Sequence, residues 1–164
     1  MHLFIIFLLF FGFQSNAEEN QNTIEIKNPI FTTKSIDGSP YEIKAEKGLQ
    51  RESYLDLFVI EAKLKTNNDI WIYLNADKGT FNQSSGEILL ESNIEIYTET
   101  DEKIFAELAN VNTNGKIITL KKNVKYQDSN IFISADESII NDDFSSITYY
   151  GNVKSKVLKG KSYE

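Results

Sequence analysis

Ile88-Leu89-Leu90-Glu91-Ser92-Asn93-Ile94-Glu95-Ile96, Ile118-Thr119-Leu120-Lys121-Lys122-Asn123-Val124-Lys125-Tyr126 and Ile147-Thr148-Tyr149-Tyr150-Gly151-Asn152-Val153-Lys154-Ser155 are one pattern written three times. The asparagines stand 30 and 29 residues apart (93 to 123, 123 to 152). Between these copies runs a second pattern, an alternating segment that closes on alanine and an acid. It occurs as Tyr41-Glu42-Ile43-Lys44-Ala45-Glu46, Ile72-Tyr73-Leu74-Asn75-Ala76-Asp77, Lys103-Ile104-Phe105-Ala106-Glu107 and Ile131-Phe132-Ile133-Ser134-Ala135-Asp136. Its alanines are 31, 30 and 29 residues apart (45 to 76, 76 to 106, 106 to 135). Two markers with one period define a unit of two strands used about four times. A degenerate earlier copy runs from Phe58 through Ile60 to Leu64.

Apolar and polar residues alternate with a period of two, and Ile, Val, Thr, Tyr and Phe dominate from Thr23 onward, which is the signature of strands. Turn residues punctuate the chain at Asp37-Gly38, Asn67-Asn68-Asp69, Ser85-Gly86, Thr100-Asp101, Asn114-Gly115, Asp128-Ser129-Asn130 and Asn141-Asp142-Asp143. Both prolines, Pro29 and Pro40, lie near the N-terminal end, where they interrupt no central strand. No stretch has helical spacing. A single unit cannot bury its apolar face alone, so the units must join in one sheet system. The expected architecture is all-β, a twisted open jelly roll or a flattened barrel of two-strand units.

Alternation fixes which residues share a face. One face collects Ile43, Ala45, Ile72, Leu74, Ala76, Ile88, Leu90, Ile94, Ile96, Ile104, Ile118, Leu120, Val124, Ile131 and Ile133. The opposite face takes Glu42, Lys44, Asn75, Lys103 and Ser134, together with the aromatics Trp71, Tyr73 and Phe132. The aliphatic face is either an ordinary packed core or a groove for lipid. Slim aliphatics and alanine leave room for acyl chains, and apolar contact is non-directional, so a chain can slide along such a lining. Glu46, Asp77, Glu107 and Asp136 repeat with the unit, so they form a ladder and do not converge; they read as turn or rim residues, with calcium ligation the lesser option.

Composition narrows the chemistry. The 164 residues contain no cysteine, and the only histidine is His2. This removes thiol and imidazole chemistry and the usual metal sets from any mature form, so no enzyme and no cofactor is expected. The net charge of −7 opposes contact with nucleic acid. Lys154, Lys156, Lys159 and Lys161 crowd the C-terminal end. Residues 1–17 contain the apolar run Leu3–Phe13, then Ser15-Asn16-Ala17, which fits a cleavable secretion signal or a short membrane anchor. Eleven helical residues reach roughly 16 Å, short of a ~30 Å bilayer core. Residues 18–164 are then one exported domain.

Asn28-Pro29-Ile30-Phe31-Thr32, Asp37-Gly38-Ser39-Pro40-Tyr41-Glu42-Ile43-Lys44-Ala45-Glu46-Lys47-Gly48 and Leu74-Asn75-Ala76-Asp77-Lys78-Gly79-Thr80-Phe81 resemble the LptC family of periplasmic lipopolysaccharide-export components, relatives of the LptA bridge protein. The likeness is strongest before Asn110, and the short leader departs from the membrane helix usual in that family. The resemblance implies a jelly roll open at both ends, in the periplasm at the inner membrane. It implies lipopolysaccharide as cargo, received from an inner-membrane ABC export transporter and passed to an LptA-like bridge protein. Ile26, Ile30 and Phe31 would then face the transporter, and Val153 and Val157 the bridge. An LptA-like soluble bridge and a structural envelope module with a closed core remain the alternatives.

Overall fold

The computed structural model describes residues 23–34, 40–66, 69–112, 117–141, 144 and 146–158. The apolar leader, the turns at Asp37-Gly38 and Asn114-Gly115, Asn67-Asn68, Asp142-Asp143 and the last two lysines of the C-terminal run lie outside the described residues.

The chain is all-β. Its strands are β1 (Ile24–Lys27), β2 (Ile30–Lys34), β3 (Pro40–Arg51), β4 (Tyr54–Lys65), β5 (Trp71–Asn82), β6 (Glu87–Thr98), β7 (Lys103–Asn112), β8 (Ile117–Gln127), β9 (Ile131–Ile140), β10 (Ile147–Tyr150) and β11 (Lys154–Val157). All pairings are antiparallel, and β3 to β9 follow chain order as an unbroken meander. Each end of the meander is closed by a broken strand. β1 and β2 share β3, separated by Asn28-Pro29, and β10 and β11 share β9, separated by Gly151-Asn152. The sheet is open and is not closed into a barrel, so the jelly roll, not the barrel, is the outcome.

Loops carry the expected chemistry. Asn82 Oδ1 accepts from the N–H groups of Ser84 and Ser85 at 3.0 and 3.2 Å, and Gly86 takes φ 72°. Asp128 Oδ1 accepts from Asn130 and Ile131 at 2.7 and 2.8 Å, which holds its carboxyl below the usual carboxylate range. Two turns carry no glycine or asparagine: Glu52, between β3 and β4, supplies φ 41° itself, and Asp101, between β6 and β7, supplies φ 63°.

The repeated asparagine marks a bulge in mid-strand, not a loop. Ser92-Asn93 stand opposite Glu107, Lys122-Asn123 opposite Asp136, and the pairing register shifts by one residue at each place. These four residues have φ between 50° and 65°. Asparagine tolerates the left-handed region better than most residues, which explains why it recurs there. An extra residue bends a strand and increases its twist. Asn28, Val59 and Gly151-Asn152 also have positive φ and lie level with these bulges. Every other strand is therefore bent at half-length, and the bends line up in a crease across the sheet.

The crease divides the sheet into two halves, named here for Trp71 and Leu90. The only element available to cover one half is the other, because the described residues contain no α-helix. Yet Ala109, Leu120 and Ile140 are 0% exposed and Ile94 is 1% exposed. The sheet is folded along the crease onto itself, as two packed layers require. Tyr126 and Tyr149, on opposite halves and on strands that do not pair, meet edge to face at 6.4 Å.

Small residues flank the crease on alternate strands. Ala45 and Gly48, Ala76 and Gly79, Ala106 and Ala109, and Ala135 and Ser138 come from the odd strands; Leu57 and Ile60, Leu90 and Ile94, and Leu120 and Val124 come from the even ones. Large neighbours lean over the small positions: a Cβ on Gly79 would lie 2.7 Å from Ile60 Cδ1 and 3.0 Å from Leu90 Cδ2. Interdigitation of this kind gives interiors their density. Each fully buried Leu or Ile contributes roughly 1.5–3 kcal/mol.

Candidate functional site

Of the inner residues expected from alternation, Ala45, Ile72, Ala76, Leu90, Ile94, Ile96, Ile104, Leu120 and Val124 are buried in one cluster. Ile43, Leu74, Ile88 and Ile118 are half-buried and pack against it. Ile131 and Ile133 are half-buried on the outermost long strand, beneath the short β11, and are not part of that cluster. Sequence reasoning did not reach Leu55, Leu57, Ala109 and Ile140, which are buried in the same cluster. The first two lie on β4, whose bend is made by Val59 instead of an asparagine, so the marker is missing there. The other two lie beyond an alanine-acid pair, where the step between inner residues becomes three. The recurring small residue three places after each alanine is the signal that finds them. Phe58, read as part of the degenerate copy, pairs with Lys47 and Lys78 in the row that faces outward.

The acids form the exposed ladder expected from their spacing, but at mid-strand. Glu46, Asp77, Glu107 and Asp136 are not in turns; each lies at mid-strand on the crease, exposed on the outer face. Asn93 Nδ2 donates to Asp77 Oδ2 at 2.7 Å, and Asn152 Nδ2 to Asp136 Oδ2 at 2.8 Å. Asparagine and acid therefore form a latch between neighbouring strands. Among the described residues no group of three or more candidate ligands is placed to hold a metal.

The inner face carries almost no polarity. Its one fully buried polar group is Ser138, whose Oγ has no hydrogen-bond partner among the described residues. At one end of the fold the Tyr126 hydroxyl lies 3.1 Å from Asp128 Oδ2 and 3.2 Å from Glu102 Oε1. Burial, followed by that hydrogen bond to Asp128, pushes the Tyr126 phenol far above its ordinary value. Burial also raises Tyr149 to about 12, helped by the charges of Asp128 and Glu102.

The outer face is polar and ion-paired: Glu42 meets Lys44 at 3.0 Å and Lys63 at 3.4 Å, and Lys103 meets Glu95 at 3.0 Å. Exposed pairs of this kind contribute little to stability. Tyr73 and Tyr97 stack at 5.1 Å, and Lys63 and Lys65 each sit 5.7 Å from the Trp71 ring.

Among the described residues neither sheet edge has a partner on its outer side. Ile30 is 61% and Val157 77% exposed there, and Ile24 and Val153 are exposed as well. Ile26 is half-buried, and Phe31 packs inward against the cluster. The residues expected at partner contacts therefore divide between edge surface and core. No family model and no curated protein matches this chain.

Proposed function

We propose that this protein is a non-catalytic carrier of lipopolysaccharide in the bacterial periplasm, holding acyl chains between the two half-sheets. The observation that carries this reading is an apolar inner face that runs from one open sheet edge to the other, on which Ser138 is, among the described residues, the one polar side chain with no exposure at all. Transfer of acyl chains is driven by about 0.8 kcal/mol per buried CH₂ without directional bonds, so cargo can move along such a face. Cargo enters between the halves at their ends, where Ile88 and Ile118 are only half-buried. On this reading an inner-membrane ABC exporter supplies the lipid and an LptA-like protein receives it, each by adding a strand at one edge. The resemblance in the first half of the chain supports the LptC-like position over the soluble bridge.

A second reading, a structural envelope module, is favoured by the complete burial of Ala109, Leu120 and Ile140 in the interior. Photo-crosslinking decides between them. A photoreactive residue at Leu74 should label lipopolysaccharide in cells, and one at Tyr73, on the opposite face, should not. Equal labelling at both positions, or none at Leu74, removes the carrier reading.

A further inference from the structure

We propose that the outer face of the sheet carries a saccharide-binding cleft across β6 to β9. A cleft of about 510 Å³ lies beside the crease there, on the side of the sheet away from the apolar interior. Phe105 and Phe132 contribute two rings to it, and Glu95, Glu107, Asn123, Lys125 and Gln127 contribute polar atoms. Its volume falls within the roughly 300–1,000 Å³ typical of small-molecule sites.

The repeat explains its position. In the units of Asp77 and Asp136 the acid is consumed by its asparagine latch. The intervening unit has Glu107 and Asn123, and glutamate is one methylene longer. Among the described residues no hydrogen bond joins these two side chains, so their donors and acceptors remain free at the cleft. A smaller cleft of about 170 Å³ occurs at Glu46 and Val59, the other unit that forms no latch.

The lining fits a sugar. A pyranose presents a face of C–H groups, which an aromatic ring accepts, and a rim of hydroxyls that each donate and accept. Asn123 and Gln127 do both, Glu107 accepts and Lys125 donates. Two carboxylates, Glu95 and Glu107, stand against the Lys125 ammonium, and Glu95 is already paired with Lys103 at 3.0 Å, so the lining has neither the cation excess of a polyanion site nor the carboxylate cluster of a polycation site. The inference is independent of lipid carriage, because the two surfaces lie on opposite faces of the sheet.

The test titrates the full chain with maltotriose, cellotriose and chitotriose, followed by saturation-transfer NMR and by the Phe105 and Phe132 ring resonances. At least one trisaccharide should shift both rings. Phe132→Ala should weaken binding roughly tenfold, the scale of one lost aromatic contact. Glu107→Asp, which recreates the latch sequence of the neighbouring units, should weaken it comparably with the melting temperature unchanged or raised. Failure of all three sugars to move the ring resonances overturns the proposal. Full affinity in the Glu107→Asp protein also overturns it, even where Phe132→Ala fails to fold.

Discussion

Three residues show how closely the folded interior is specified. Ser138 buries a hydroxyl without a partner, and an unsatisfied buried donor costs about 1–3 kcal/mol. Ser138→Ala should therefore stabilise the protein by about 1 kcal/mol in urea unfolding, whereas a loss would mean that the hydroxyl is satisfied. Gly79 is required because Ile60 and Leu90 occupy the space of its missing Cβ. Gly79→Val should cost about 2–3 kcal/mol through overpacking, visible as a fall in the urea midpoint at constant slope. Tyr149 sets an alkaline limit. Its folded pKa of about 12 lies above the ordinary value of 10.0, so the folded state holds the proton more tightly than the unfolded state. That contribution is complete below pH 10 and is lost as pH rises from 10 to 12. Tyr149→Phe keeps the ring against Tyr126 and should flatten the decline over that window.

The strand with its central bend is the element from which the molecule is made. Period and alternation in the sequence were enough to place β3 and β5 to β10 and to assign the inner residues on the near side of each bend. What stayed hidden has a physical cause: a bulge inserts a residue without interrupting the strand, so Asn93 and Asn123 look like turn residues although the ladder continues through them. The acids were misplaced for the same reason, since Asp77 and Asp136 answer asparagines 16 residues away on the next strand. The candidate lining was legible because aliphatics alternate; the edges were legible only through the resemblance, because exposure of Ile30 and Val157 depends on which strand lies last. Two variants separate the roles of the bulge. Asn93→Ala loses the latch and places alanine at φ 50°, and should cost about 1–2 kcal/mol. Deleting Asn93 instead leaves Ser92 alone opposite Glu107 and keeps Ile94 opposite Ala106, so the bulge and its bend are lost from β6 and the sheet no longer folds over its apolar face there. Circular dichroism and size exclusion should show a folded protein for the first variant and an aggregated or unfolded one for the second.

A single folded sheet hides one of its faces but cannot hide its edges, and here the two edges differ. One is β1 and β2, with Ile24 and Ile30 exposed; the other ends in β11, with Lys154 and Lys156 beside Val157. Joining unlike edges is a heterologous contact, which repeats without closing unless its rotation happens to close a ring. The direction of the free donors follows from the ladder. The Leu158 N–H donates to the Asn130 carbonyl at 2.7 Å, so in an antiparallel pair the N–H groups of Lys156 and Lys154 also face β9, and those of Ser155 and Val157 face outward. Lysine on an edge strand opposes accidental pairing, which leaves the contact weak and dependent on a matching partner. At rising concentration the protein should sediment as a series of species larger than the monomer. Ser155→Pro removes one outward donor and no ladder bond, so it should sediment as a monomer throughout while its stability changes by no more than about 1 kcal/mol. Persistence of the larger species in that variant would locate self-association away from the β11 edge, and with it the strand-addition route assigned to the bridge protein.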